Sequence, residues 1–394
     1  MPIKSLLMSM ACRSGFSLKR EYDMTGTHPE FAGDEPHGTM ETVARFDGPM
    51  PTGVTVSRKG RIFVNFPKWG DDVQFTVAEL KEGNPVPYPD QAFNTSDPQD
   101  PAAALLSVQS VVVDPADRLW ILDTGSPLFQ PTQYGGPKLV CVDLVTDQVV
   151  GKILFPQDVA LPTTYLNDVR FNLQMGKEGM AFITDSSDKG PNGIIVVDLA
   201  NGKSWRRLHD HPSTKTESLS SFMPIVEGRP FLQSQPDGSV MPGPAMGADG
   251  IAISADGTRL YYCALGSRRL YSVSTQALAD ASLGDHDVIA TIVDEGDKGC
   301  GSDGLESDAE GRIYATDYEH NAVLRRKANG EWEPVIHDAQ LLWPDTMSIA
   351  SDGYLYVTAN QLHRQASYHG GQDLRRKPYA LFRTRIDGTP VLLR

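Results

Sequence analysis

The chain has 394 residues, 40% hydrophobic and 22% charged, with 36 Gly and 28 Pro, a level of turn formers that suits a globular, soluble β structure better than a helical bundle. Its net charge of −14 and the brevity of the basic run Arg375-Arg376-Lys377 argue against nucleic acid as a partner. No stretch of about 18 apolar residues occurs, so no membrane-spanning helix is expected.

The N-terminal Met1 to Cys12 carries Lys4 and the apolar stretch Leu6 to Ala11, shorter than the core of a secretory signal. A cleaved leader or a lipidated Cys12 is the alternative to a cytoplasmic protein. Cys12, Cys141, Cys263 and Cys300 are too scattered for a disulfide scaffold and lack metal-ligand spacing, which also favours a reducing compartment. Residues 1–40 read as an extension and residues 41–394 as one domain.

From residue 52 onward one unit recurs six times: a polar residue, usually a small one next, an apolar strand, a turn with Asp, Gly or Lys, and a second strand rich in Tyr, Phe, Val and Ile. The units are Thr52 to Phe66, Gln109 to Asp123, Asn167 to Asp185, Asp249 to Ala264, Asp303 to Asp317 and Asp345 to Asn360. Turns such as Ala255-Asp256-Gly257 and Ser351-Asp352-Gly353 carry the hairpin signal. Each gap between starts accommodates one four-stranded blade, with Leu139 to Asp143, Gly193 to Asp198 and Leu270 to Val273 as third strands. The longest gap holds Trp205 to Met246, rich in Pro, Ser and His, and predicts a large loop over one face. Glu41 to Phe46 beside Tyr379 to Arg385 would close the ring. The fold class is therefore all-β, a six-bladed β-propeller, in which radial repetition avoids long open edges. A sandwich or solenoid with coincidental Asp-Gly turns is the bland alternative.

In such a fold the first residues of the innermost strands meet at one mouth of the central channel. Thr52, Gln109, Asn167, Asp249, Asp303 and Asp345 would form that ring. Three carboxylates crowded together there repel one another, and burying them unpaired is costly. A hard cation removes that cost, and side-chain oxygens completed by water suit Ca²⁺. The competing reading is that these short polar side chains merely bond main-chain amides at strand starts. A second set, Asn65, Asp123, Asp185, Asp317 and Asn360, ends the second strands at the same mouth, and Asx turns are its simpler explanation. His209 and His211 in the long loop, and His320 and His363 near the mouth, are weaker acid–base candidates. Cys300 could face the channel, although its acidic surroundings disfavour a thiolate. Trp69, Trp343, Tyr318 and Phe66 either line a pocket or belong to the core. No Gly-x-Ser-x-Gly elbow, phosphate-cradling Gly loop or His-Glu-x-x-His is present.

The segments Ser110-Val111-Val112-Val113-Asp114, Arg118 to Gly125, Leu166-Asn167-Asp168-Val169-Arg170-Phe171, Trp343-Pro344-Asp345-Thr346 and Tyr354 to Leu362 resemble the Yellow and major royal jelly protein family, from about residue 40 onward. That resemblance implies a six-bladed propeller with a ligand pocket at the channel mouth. Insect members are linked to dopachrome conversion or to binding aromatic biogenic amines, and are secreted. The blade pattern is also similar to the gluconolactonase and organophosphatase propellers, whose Ca²⁺ is held by Glu, Asn, Asn and Asp from blades one, three, four and five. Carried over by blade, those slots are Thr52, Asn167, Asp249 and Asp303. Asp249 there restores the charge that Thr52 loses.

Three functions compete. The first is a Ca²⁺-dependent lactonase or esterase-like hydrolase, with Asn167, Asp249 and Asp303 as metal ligands, Asp345 or Asp168 as the base, His320 as a further catalytic candidate, and Thr52, Gln109 and Asn360 lining the ligand pocket. The second is a Yellow-like isomerase or cyclase that shifts protons on a small aromatic without metal. The third is a non-catalytic carrier or protein-binding propeller. The expected partner is a small-molecule substrate, aromatic or a lactone.

Overall fold

Each of the six repeats becomes one antiparallel sheet of four strands, ordered from the axis outward in chain order except in blade 6, whose outer strand comes from the other end of the chain. The structure is a computed structural model that describes residues 35–394 except 98, 219, 235 and 236. The expected leader and Cys12 lie outside the described residues. The innermost strands are Val54–Val56, Val108–Val113, Leu166–Asn172, Ala248–Ile253, Leu305–Ser307 and Pro344–Ile349. Each lies against the inner strands before and after it, and the first lies against the last, so the ring closes. Met40–Phe46 pairs antiparallel with Tyr379–Arg385, which places the chain's first described strand on the outer edge of blade 6. Among the described residues no helix is long and apolar enough to cross a membrane.

Burial follows position in the blade. The inner strand Leu166–Asn172 is buried at every residue, whereas Gln148–Leu154, outermost in blade 2, is mostly exposed. The apolar core sits between blades. Trp120, Leu122 and Leu139 of blade 2, for example, pack on Val169, Phe171 and Ile183 of blade 3. Two short helices, Thr275–Ala279 and Asp285–Ile289, interrupt blade 4 between its third and fourth strands.

The long connection begins later than its composition indicated. Trp205 lies in the fourth strand of blade 3, Ser204–Arg207, where its indole N–H donates to the Leu278 carbonyl at 3.0 Å. The insertion proper follows and forms two small hairpins, Ile225–Val226 with Arg229–Pro230 and Leu232–Ser234 with Val240–Pro242.

The small residue after the polar one has a physical cause. A Cβ on Gly304 would lie 2.3 Å from the main-chain oxygen of Asp345, and one on Gly250 would lie 2.7 Å from that of Asp303. Neighbouring inner strands thus approach too closely at the axis for any side chain there. Gly304→Ala is expected to destabilise the fold by about 1–3 kcal/mol, because backbone cannot yield as a flexible side chain does. Equilibrium urea unfolding measures it, and an unchanged midpoint would contradict the close approach.

Candidate functional site

The site is built where the inner strands begin. In blades 2, 3, 4 and 6 the pairing between the first and second strands slips by one residue at that point, at Val108/Ser110, Leu166/Val169, Ala248/Ile251 and Pro344/Met347. Such a bulge sets two residues opposite one and re-aims side chains. Here it frees Gln109, Asn167, Asp249 and Asp345. A threonine on the second strand bonds the start of the inner strand in blades 3, 5 and 6, and in blades 3 and 6 it holds the bulge. Thr184 Oγ1 accepts from the Asp168 N–H at 3.2 Å and donates to the Asp249 carbonyl of the next blade at 2.7 Å. Thr316 accepts from the N–H groups of Asp303 and Gly304, both at 3.0 Å. Thr358 accepts from the Thr346 N–H and donates to the Thr52 carbonyl at 2.7 Å, tying the last blade to the first.

The structure brings Asn167, Asp249 and Asp303 together. Asn167 Nδ2 donates to Asp249 Oδ2 at 2.7 Å and to Ser186 Oγ at 2.9 Å. Asp249 and Asp303 stand within hydrogen-bonding reach of each other. The Trp343 indole N–H donates to Asp303 Oδ2 at 2.6 Å. Asp345 joins them from blade 6, accepting from Asn360 Nδ2 at 2.6 Å and from Thr346 Oγ1 at 3.1 Å. Burial pushes all three carboxyls up. Asp249 is raised well above the usual range by burial and then by the charges of Asp303 and Asp345, and Asp345 by burial and then by Asp303. Asp303 rises only to about 6, because the Trp343 indole and the bond with Asp249 oppose its burial. None of the main influences on the three is a basic side chain. Asp303 is 7% exposed, against 2% for Asp249 and 3% for Asp345, which makes it the most accessible of the three acids.

Thr52 and Gln109 complete the ring with bonds of their own. Thr52 Oγ1 accepts from Asn65 Nδ2 at 2.8 Å. Gln109 Oε1 accepts from the Tyr165 hydroxyl at 3.1 Å, which in turn accepts from the Trp69 indole N–H at 2.6 Å. Asn360 is fully buried and serves Asp345 and the Leu362 N–H. Asp123, Asp185 and Asp317 each accept main-chain N–H groups of adjoining loops, as Asx turns do.

Asp168 lies one residue deeper along the channel. Its Oδ1 accepts from Ser110 Oγ at 2.7 Å and its Oδ2 from Arg170 at 2.9 Å. Arg170 reaches across to the Leu305 carbonyl at 2.7 Å, with Glu306 at 3.6 Å. This buried bridge between blades 3 and 5 lies toward the opposite mouth, where Arg170 and Glu306 line a cavity of about 100 Å³. His320 stands apart from the cluster, its Nδ1 2.8 Å from Asp317 Oδ2 and its side chain half exposed. His209 Nδ1 accepts from Arg206 at 3.0 Å, and His211 Nδ1 meets Ser213 Oγ at 2.8 Å. Cys300 is fully buried, and burial together with Asp317 pushes its thiol well up, so it is no nucleophile.

Calcium requires six to eight inward-facing oxygens. Here Asn167 turns its amide N–H toward Asp249, and among the described residues no three His, Cys, Asp or Glu side chains gather closely enough to hold a metal. The donor set as arranged does not fit a calcium cage.

Above the cluster, on the face where the inner strands start, a cavity of about 450 Å³ is lined by Trp69, Phe129, Gln233, Leu362 and Tyr368, with Asp373 and Arg375 also in its lining. Trp69, Phe129 and Tyr165 form an aromatic wall, with stacked centroids at 5.6 and 4.8 Å. Two residues of the cavity lining, Tyr368 and Trp69, connect it to the ring. The Asp303 charge reaches the Tyr368 hydroxyl and raises it further after burial, and Trp69 bonds the Tyr165 that bonds Gln109. Sequence reasoning placed Trp343 in pocket or core and missed its bond to Asp303. Its position two residues before Asp345 was the available signal. Arg170, a lone Arg in a fully buried inner strand, was a second.

The family model for the major royal jelly proteins matches residues 106–385. Protein yellow of Drosophila erecta is 26% identical over 342 residues, 79% of this chain and 58% of that protein. Major royal jelly protein 1 of Apis mellifera is 26% identical over 281 residues, 69% of this chain and 55% of its own length. The chain thus spans little more than half the length of these curated relatives. Among solved structures, a calcium-binding regucalcin from Agrobacterium tumefaciens superposes with a TM-score of 0.52 at 15% identity, covering 89% of this chain and 97% of that one. A gluconolactonase from Xanthomonas campestris gives 0.52 at 12% identity, covering 91% and 97%. These two likenesses show the propeller fold.

Asp303 binds its proton more tightly folded than unfolded, since its value rises from roughly 3.9 to about 6. The stability this contributes is fully present below the unfolded value and is lost as pH rises through the folded one. The thermal midpoint should therefore fall as pH rises from about 4 to beyond 6, and Asp303→Asn, which keeps an acceptor for Trp343, should flatten that fall. Parallel curves for the two proteins would contradict the assignment.

Proposed function

The chain belongs to the major royal jelly protein family, and from that premise we propose that it takes a small organic molecule into the blade-start mouth and moves protons on it with Asp249, Asp303 and Asp345. The observation that carries this reading is Asp303: it is the most accessible of three buried acids, held by Trp343, with its proton affinity raised to about 6. A carboxyl tuned toward neutral pH can both give and take a proton. Asp249 and Asp345, which burial pushes further up, stay protonated beside it, and Asn167 bonds Asp249.

The aromatic wall of Trp69, Phe129 and Tyr165 supports a flat, aromatic or quinone-like ligand. The likeness to the Yellow group supports the same class, with an isomerase- or cyclase-type proton shift as the reaction. A second reading, a calcium-dependent lactonase, is favoured by the absence of a basic partner for the three carboxyls. It requires Asn167 to turn its oxygen inward beside Asp249 and Asp303. We propose a cytoplasmic location, a reading that the buried free thiols Cys141, Cys263 and Cys300 support.

On a panel of catechol-derived quinones, including dopachrome, and simple lactones, Asp303→Asn should lower kcat by roughly 10²–10⁴-fold with its melting temperature preserved. Exhaustive chelation should leave wild-type turnover intact. Turnover lost to a chelator and restored by calcium would transfer the assignment to the lactonase reading.

A further inference from the structure

The insertion between blades 3 and 4 is pinned over one side of the same mouth. The Ile225 N–H donates to Glu319 at 3.0 Å, and Glu319 is itself paired with Arg268. Glu227, in a turn with positive φ at both Glu227 and Gly228, pairs with Arg364 and stands 3.3 Å from His363 Nε2. Arg364 and His363 follow directly on Asn360 and Leu362, so the anchor grips the segment that leaves the second strand of blade 6. These contacts fix where the next residues fall. Phe231 is 5% exposed, and its ring centroid lies 5.3 Å from that of Trp343 and 4.3 Å from that of Tyr368. Gln233, two residues on and therefore on the same side of an extended segment, lines the 450 Å³ cavity beside Tyr368 and Leu362.

Phe231 thus touches both the indole that holds Asp303 and the tyrosine that faces the ligand space. Its main chain has no freedom to retreat, since the Phe231 N–H donates to Pro224 at 2.9 Å and its carbonyl accepts from Gly243 at 2.8 Å. Gly243 lets the packing close, for a Cβ there would come within 3.1 Å of the Tyr368 ring. Resting on the mouth being the reaction site, we propose that Phe231 is the specificity-determining residue of this site, setting how large a ring can lie beside Tyr368. The insertion is then the element by which the blade frame is fitted to one ligand size, and a smaller residue at 231 opens the space toward Trp343.

The test uses the full chain and two probes, tyramine and the bulkier 2-naphthylethylamine, titrated by calorimetry into wild type, Phe231→Ala and Phe231→Leu. The expected result is a shift of at least ~10-fold in relative affinity toward the naphthyl probe in Phe231→Ala, of the size that hydrophobic pockets discriminate by, with a smaller shift in Phe231→Leu. Phe231→Leu preserves most of the buried volume, so it reports even if the alanine variant melts early. An unchanged affinity ratio in a folded Phe231→Leu and Phe231→Ala overturns the inference and leaves the proton-transfer reading standing. No binding of either probe by any of the three proteins overturns the aromatic-ligand reading, and the inference with it.

Discussion

Three buried carboxyl groups from three blades lie near one another at the axis, and no basic side chain is among the main influences on them. Everything else at this mouth is organised around that constraint. A buried anion without a partner is costly, so the cluster must hold a proton, accept hydrogen bonds, or meet a ligand. Asp249 and Asp345 hold protons tightly, whereas Asp303, steadied by the Trp343 indole, sits near neutrality. The difference among three chemically identical side chains comes from environment alone.

The frame that enforces this crowding is as specific as the acids themselves. Bulges turn the first residues toward the axis, threonines clamp the bulges to the next blade, and glycines let the strands touch. Trp343 adds a cost of its own. It has φ of 55°, a left-handed conformation that an aromatic residue adopts only under constraint. Stacking on Tyr318 at 4.2 Å and the bond to Asp303 are what hold it there. Beneath the cluster, Arg170 takes up the charge of Asp168, which separates a neutralised lower layer from an unneutralised upper one.

The aromatic cavity and the acid cluster come from different parts of the chain. Trp69 and Phe129 lie in loops of blades 1 and 2, Tyr368 in the loop between the second and third strands of blade 6, and Phe231 arrives from the insertion after blade 3. Family membership and propeller fold are shared with proteins of quite different names. The blade frame is therefore the shared part, and the loops that cover its mouth are supplied by separate segments of the chain.

The repeat of polar residue, small residue and paired strands was written in the sequence, because a strand's alternation and a Gly-bearing turn are local properties. So were six blades, the closing strand at Glu41 to Phe46, and the identities of Asn167, Asp249, Asp303 and Asp345 as axis residues. What local pattern cannot carry is which way a buried side chain's partner lies. The amide of Asn167 turned toward Asp249, the indole of Trp343 on Asp303, the reach of Arg170 to the Leu305 carbonyl, and the seating of Phe231 on Trp343 all join residues far apart in the chain. Only the closed ring, which fixes those residues within ångströms of one another, sets these hydrogen-bond and packing partners.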